Sequence, residues 1–514
     1  MSGVAIWTND RGRTRDLFLN GATAVCRGSD YLANDFLFES LMELGYWDVL
    51  TSPCPELGRT DVAIEPEKLN AAWVMKELAG LGRVSEADKV LRDGRLMALC
   101  GFNMEKVQEK AFHQVPVFSR RSLYRHAERM RQSESGKMLL SALRLARENK
   151  WLRGKVYAAD CYEIPVSGKK MEGIYENTDK RTRRGYRLLT ITNVTPGREQ
   201  VVAAALGGIC QDERVLLKQA LGMLEGEGDP KEMIGLLLLD RGFWEAELMW
   251  QLRHEWGIHF LTMAKEDLEL NAEVERRVSE IGEVEWREYF RESGHTGKTR
   301  RYRARGVEEV FLDRYSRDGK EAGSVNCVLA YEDQPGNQAP KRLVYITSEP
   351  TLGREDKVIA RYGERWSIEN ECMKWLSEHD GRKINGWSLN AVQYRLFLLL
   401  VLRNAMTLVG WKYSDDASRM RKLLAHRKRR SYIEGHGTII YLPDHGIFGT
   451  YHTDEGMDMA EERGARRVIR ELSCSNHSRK KRCVKQPELP GIPPRKPLVA
   501  TLERVARNKR SDKS

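Results

Sequence analysis

The sequence predicts an α/β protein with an antiparallel β subdomain inserted into it and a mostly helical region ahead of it. Three observations carry this. The segment IGLLLLD is an uninterrupted apolar run of the kind that fills a central strand. From 155 to 266, strand-like and helix-like segments alternate, as they do when helices pack on a sheet. From 267 to 349, polar and apolar residues alternate, the period of half-solvated antiparallel strands.

Residues 1–60 are mixed in pattern. Periodic Leu, Met, Ala and Val make Glu65 to Arg147 helical, so 1–148 reads as a helical N-terminal region. Within it, residues 101–132 read as helix, turn, helix. Pro116 breaks the first helix and Ser119 is a good N-cap for the second. Leu123, Ala127 and Met130 form the apolar stripe of that second helix. Arg120, Arg121, Tyr124 and Arg125 lie mostly off it, near the end where a recognition helix meets DNA. A plain basic, solvated helix has the same pattern.

Next, VYAADCYEIP reads as a buried strand with polar residues at its end. RGYRLLTITNVTPG and VVAAALGGI read as the two strands of a hairpin turning at Pro196 and Gly197. A helix follows at 213–225, then IGLLLLD, the helix EAELMWQLRHEW and the strand HFLTMAK. In the insertion, VEWREYF, RYRARG, VEEVFLD, SVNCVLAYED and RLVYITS are the strand candidates. Helical patterns return at 355–379 and 389–413. The core is therefore assigned to 149–266 and 350–413, and the insertion to 267–349. The longest apolar run, Leu396 to Leu402, lies between Arg395 and Arg403. It is too short to span a bilayer and reads as a buried helix. Residues 414–514 are basic, with a Pro-rich linker at 487–497.

The chain has 514 residues, with 85 Lys+Arg against 74 Asp+Glu, a formal net charge of +11. An apolar content of 41% excludes wholesale disorder. The excess charge is local: residues 463–514 hold 16 Lys+Arg and 4 Asp+Glu. Such an arm favours salt-sensitive, sequence-independent contact with phosphates, or acts as a solubilising tail. The nine Cys are scattered, with no C-x-x-C, which points to a reducing compartment. The N-terminus has no apolar signal core, so neither secretion nor a membrane location is expected.

Two carboxylates stand at expected strand ends, Asp160 and Asp240. A carboxylate there faces the crevice where α/β sheets bind ligands, although an Asp in that position can also cap the next helix. A third is Glu369. At 100° per residue it shares a helical stripe with Val358, Tyr362, Arg365, Trp366, Met373 and Leu376. A carboxylate on a packing face needs a counter-charge or a metal; an Arg365 pair at i, i+4 would also satisfy it. Together the three suggest a hard-cation site. Mg²⁺ takes oxygen ligands, and two such ions can activate a water or 3′-hydroxyl and stabilise a leaving oxygen. Cys474, His477 and Cys483 lack a clear fourth ligand for zinc.

The segments VYAADCYEIP, LLLLDRGFW and YGERWSIEN resemble the DDE transposases of bacterial insertion sequences. The nearest resemblance is to the insertion-sequence family 4 group, which bears a β-rich insertion between the second Asp and the Glu. That group's signature is Y-x2-R-x3-E-x6-K, and Tyr362, Arg365 and Glu369 match its spacing. The segment LNAVQYRLFLLLVLRNA is also similar to this group. The resemblance spans about 150–412.

It implies an RNase H-like core in which Asp160, Asp240 and Glu369 bind two Mg²⁺, with Mn²⁺ able to substitute. These residues would cut double-stranded DNA at the element's inverted-repeat ends. The freed 3′-hydroxyl would then attack target DNA. Arg365 would contact phosphate and Tyr362 would brace the DNA end. Arg241 would touch the backbone, and Trp286 is the positional candidate for holding a flipped base. The resemblance further implies a homodimer on DNA and a bacterial cytoplasmic, nucleoid-associated location. It leaves open a non-catalytic end-binding protein, or a metal-dependent nuclease without strand transfer. The signature Lys falls on Leu376. Lys374 lies roughly 140° round the helix from Glu369, and Lys383 follows the break at Gly381.

Overall fold

The apolar run at 236–239 lies inside a nine-stranded sheet in the structure of the chain, a computed structural model. The structure describes residues 8–29, 33–55, 64–102, 116–166, 171–174, 184–196, 199–280, 286–292, 299–310, 324–334, 338–383, 388–413 and 437–464. In chain order the strands among them are β1 (Thr8–Asn9), β2 (Val25–Ser29), β3 (Val156–Pro165), β4 (Gly185–Asn193), β5 (Val201–Gly208), β6 (Leu236–Leu239) and β7 (His259–Met263). They continue with β8 (Arg287–Glu292), β9 (Thr299–Val310), β10 (Val325–Glu332), β11 (Lys341–Thr347), β12 (Gly437–Leu442) and β13 (Ile447–His452). The chain forms two units, Leu139–Trp375 and the combination of Met1–Met138 with Leu376–Ser514.

In the Leu139–Trp375 unit the sheet order is β5-β4-β3-β6-β7-β11-β10-β9-β8. The pairs β3–β6 and β6–β7 are parallel; the other pairs are antiparallel. All four residues of β6 are buried, which is why this strand is apolar throughout rather than alternating. The helix Glu213–Glu225 occupies the predicted range and packs on β4 and β5 through Leu216, Leu217, Ala220, Leu221 and Leu224. The Asp212 side chain caps it, accepting from the Arg214 backbone N–H at 2.9 Å. The helix Ala246–His254 connects β6 to β7 and buries Leu248, Met249 and Leu252.

The alternation at 267–349 predicts an inserted antiparallel subdomain. The antiparallel strands are present, but they continue the core sheet. Tyr345 of β11 pairs with Met263 of β7, and β10, β9 and β8 follow in turn. The physical reason is that β7 would otherwise leave a row of unpaired N–H and C=O groups. Alternation reports which side chains are buried; it does not name a strand's partner.

The stretch predicted as one helix at 355–379 is interrupted. An α-helix runs Glu355–Glu364, a π-helical turn occupies Ile368–Met373, and α-helix resumes at Lys374–Glu378. The first helix is pinned to the sheet by the buried carboxylate of Glu355. It accepts from the Gly306 N–H at 3.2 Å and from the Tyr289 hydroxyl at 3.2 Å.

The other unit contains a small sheet, β1-β13-β12-β2, with β1 parallel to β13. Phe18, Ile440, Leu442 and Met459 are in its core. The helices Pro66–Leu78, Arg120–Arg129 and Leu389–Tyr413 belong to the same unit. The span Leu389–Trp411 is long and apolar enough to cross a membrane, yet residues 391–410 of it are buried in the fold. The boundary expected at 413 therefore differs from the observed division, because this helix is grouped with residues 1–138. Two polar clusters lie within this unit. Asn70 Oδ1 accepts from Tyr394 at 2.8 Å and lies 2.6 Å from His126 Nε2, while its amide donates to the Thr51 and Pro53 carbonyls. Arg395 pairs with Glu77 at 2.9 Å and donates to the carbonyls of His379, Asp380 and Lys383.

Candidate active site

Register places the two aspartates side by side. Ala159 of β3 pairs with Leu239 of β6 in a parallel ladder, so Asp160 and Asp240 are the next residues on neighbouring strands. Their positions differ from the expectation in one respect. Asp240 follows the last residue of β6, but Asp160 does not end its strand: β3 continues to Pro165, paired with β4 alone. The opening beside Asp160 arises because β6 stops and the chain turns away at Arg241–Phe243. Asp240 stands at the N-cap of that turn, but its side chain makes no capping hydrogen bond.

The third carboxylate comes from the π-helical turn, which packs against β3. A continuous α-helical stripe would turn Trp366 inward; instead it is 52% exposed. The wider turn changes the phase of every later residue, and Ile368 and Cys372 take the buried positions. Glu369, at i+4 from Arg365, faces the same cation as the two aspartates.

That cation is Arg365. Its Nη1 lies 2.9 Å from Glu369 Oε1 and 3.3 Å from Asp160 Oδ2, and its Nη2 lies 3.6 Å from Asp240 Oδ1. The side chain is nearly fully buried, and its Nε has no hydrogen-bond partner among the described residues. Burial opposes its charge, but Tyr362 and the three carboxylates raise its pKa above the ordinary value. Burial pushes Asp160 up to about 6. The Cys161 N–H, 2.7 Å from its Oδ1, and Arg365 pull it down, while Glu369 and Asp240 push it up. Tyr362 is buried beside Arg365 and raised to about 12, so it is a neutral phenol at physiological pH. Burial holds the Cys161 thiol well above its usual range, so it is a neutral thiol beside Asp160.

The donor set fits a hard cation in kind, since three carboxylates from distant elements already share one positive charge. The spacing is that of oxygens around a guanidinium. Among the described residues, no group of three or more His, Cys, Asp or Glu stands at metal-ligand spacing.

The other sequence candidates are dispersed. Arg241 is exposed, directly after Asp240. Trp286 precedes β8 and is partly buried on the core, edge-on to Tyr331 at 5.4 Å. On the helix Arg120–Arg129, Leu123, Ala127 and the following Met130 are buried, as the stripe requires, and Ser119 caps the helix. Arg121 and Arg125 are exposed and Tyr124 is half-buried. Arg120 is engaged by its own chain, 3.0 Å from Asp88 Oδ2 and 3.2 Å from the Ser85 carbonyl. The first helix of the expected pair lies mostly outside the described residues, as do Cys474, His477, Cys483 and nearly all of the basic tail. Leu376 is fully buried, and Lys383 pairs with Asp380 at 2.8 Å.

Sequence reasoning missed Glu213. It lies in the first turn of the helix Glu213–Glu225, and its carboxylate sits over Gly242, two residues past Asp240. A Cβ at Gly242 would stand 2.1 Å from Glu213 Oε1, so glycine lets the carboxylate lie directly against the backbone. Burial raises the Glu213 pKa; Arg187 opposes the shift and Asp240 adds to it. The only sequence sign was a second acidic residue after the N-cap Asp212, which ordinary helix-dipole stabilisation also explains.

No family model matches the chain, and no curated protein matches it. Among solved structures the chain is similar to a cryo-EM structure of a piggyBac transposase synaptic complex with hairpin DNA. The identity is 10%, the alignment covers 89% of this chain and 86% of that one, and the TM-score is 0.36.

Proposed function

We propose that the chain is a metal-dependent DNA transposase of the DDE kind, which cleaves double-stranded DNA at the ends of its element and joins the freed 3′-hydroxyl to target DNA. The observation that carries this reading is the convergence of Asp160, Asp240 and Glu369 on one cation. They come from a central strand, the end of its parallel neighbour and a π-helical turn far along the chain. Three carboxylates at one point repel each other, and an arrangement that a fold maintains against repulsion is a mark of a functional site. The mixed order β5-β4-β3-β6-β7 supports an RNase H-like core.

In this reading Asp160, Asp240 and Glu369 hold Mg²⁺, two ions in the full complement, with Mn²⁺ as a substitute. When bound, the metal activates the attacking oxygen and stabilises the leaving one. The chain's own groups do the rest. β3 and β6 fix the two aspartates in register. Arg365 offers a buried guanidinium to a DNA phosphate, bidentate in geometry. Tyr362 remains a neutral donor beside it. Arg241, exposed next to Asp240, meets the backbone on the open side. Arg121, Tyr124, Arg125 and the basic residues after 463 add contacts to DNA outside the core. Trp286 would need to leave Tyr331 before it could hold a base. A homodimer on DNA and a cytoplasmic, nucleoid-associated location belong to the same reading.

The test is incubation of the purified protein with Mg²⁺ and labelled duplexes carrying the flanking inverted repeats. Strand-transfer products are expected, and they should vanish in Asp160→Ala, Asp240→Ala and Glu369→Ala. Binding without cleavage would refute catalysis. Cleavage without joining would favour a second reading, a metal-dependent nuclease. The burial of Leu376, where the signature places a phosphate-holding Lys, favours that alternative.

A further inference from the structure

The Arg365 guanidinium lies among the three carboxylates rather than beside them. One nitrogen, Nη1, serves both Glu369 and Asp160, while Nη2 faces Asp240. A Mg²⁺ or Mn²⁺ bound to the same oxygens would sit about 2.0–2.2 Å from each of them. It would have to take from Nη1 the Asp160 and Glu369 oxygens that the guanidinium now engages. Two cations cannot occupy one position, and neither charge is tolerated in a buried site without the carboxylates. Among the described residues no carboxylate group stands at metal-ligand spacing, as expected where the guanidinium sets the distances.

Arg365 is also held incompletely. Its Nε is buried without a hydrogen-bond partner among the described residues, and the Nη2–Asp240 distance of 3.6 Å is long for a hydrogen bond. The π-helical turn adjacent to it, Ile368–Met373, provides a backbone irregularity of the kind that gathers at functional sites.

We infer that Arg365 is a positioning residue that doubles as a resident counter-ion. It holds the three carboxylates together without metal, competes with the divalent ion for them, and gives way when a DNA phosphate draws the guanidinium out. Metal loading and DNA engagement are then coupled: each binds more tightly when the other is present. This rests on the metal-site reading above and adds the order in which the site is filled.

The experiment is Mn²⁺ binding by the full-length protein without DNA, followed by the electron paramagnetic resonance signal of the free ion. Arg365→Gln should bind Mn²⁺ about tenfold or more tightly than the wild type, because a competing unit charge has been removed. Arg365→Lys, which keeps the charge, should return the affinity towards the wild-type value. Adding duplex DNA should tighten Mn²⁺ binding by the wild type and leave Arg365→Gln unchanged. The same titrations are repeated with Asp160→Asn added to each background. If Mn²⁺ binding depends on Asp160 but is equal or weaker in Arg365→Gln, the counter-ion role is overturned and the metal site stands. If Asp160→Asn changes nothing in either background, the metal-site reading falls and the inference falls with it.

Discussion

Arg365 and Glu369, four positions apart, are joined by a 2.9 Å ion pair, and the arginine nitrogen in that pair also reaches Asp160 across the sheet. A pair at i, i+4 on a helix surface is ordinary and worth a few tenths of a kcal/mol. Here it is different in kind, because the guanidinium is buried and two further carboxylates face it.

The first prediction concerns Asp160 in metal-free protein. Its pKa is raised from the ordinary 3.8 to about 6, mainly by burial. A carboxyl with a raised folded-state value contributes stability below about 4, and that contribution is lost as pH rises through about 6. Asp160→Asn should therefore be more stable than the wild type at pH 7.5 in EDTA, by roughly 1–3 kcal/mol. Urea melts at pH 4 and pH 7.5 check this; a variant less stable at the higher pH contradicts it.

His126 should make the helical unit sensitive to acid. Burial lowers its pKa to about 4 from 6.5, with Nε2 held 2.6 Å from Asn70 Oδ1. A depressed base contributes stability above 6.5, and the contribution is lost as pH falls towards 4. Wild type should lose roughly 2–3 kcal/mol between pH 7 and pH 4.5 from this group. His126→Gln should show a flatter pH dependence in the same urea titrations.

The Glu77–Arg395 pair is fully buried, and Arg395 also satisfies three carbonyls at the helix break around Gly381. Glu77 also pairs with the buried Lys76 at 2.6 Å, so removing Glu77 leaves two buried cations without their counter-charge, whereas removing Arg395 leaves Glu77 with Lys76. Glu77→Gln should cost about 3–5 kcal/mol and Arg395→Met less, because Lys76 still faces the carboxylate. The double variant should recover part of the loss, as measured by a double-mutant cycle in denaturant.

Gly242→Ala tests the placement of Glu213. The added methyl group would meet Glu213 Oε1 at 2.1 Å, so this flexible carboxylate must swing aside. The stability loss should be small, within about 1 kcal/mol, because only the end of a flexible side chain must move. If Glu213 matters to the site, strand-cleavage activity should fall with little change in Tm, and Glu213→Gln should reproduce the fall. Unchanged activity in both variants would make Glu213 a bystander.

Much of the fold was legible in the sequence because it rests on local burial. The four leucines of β6 and the stripe Leu216, Leu217, Ala220, Leu221 and Leu224 report sheet centre and helix face directly. The candidate carboxylates were legible as residue types in sequence order. Their convergence was not. It depends on Ala159 pairing with Leu239, on β3 running past Asp160 where β6 stops, and on the π-helical turn carrying Glu369 packing against β3.

By itself, the sequence determined an α/β protein, three candidate carboxylates in Asp160, Asp240 and Glu369, and a basic terminal arm. Only the tertiary structure decided that β8 to β11 extend one sheet, that Glu213 stands beside the site, and that Arg365 occupies its centre. The physical reason is range. Periodicity and capping act over a few residues of chain, whereas strand pairing joins Thr8 to Ile447 and the shared cation joins Asp160 to Arg365, 205 positions along the chain.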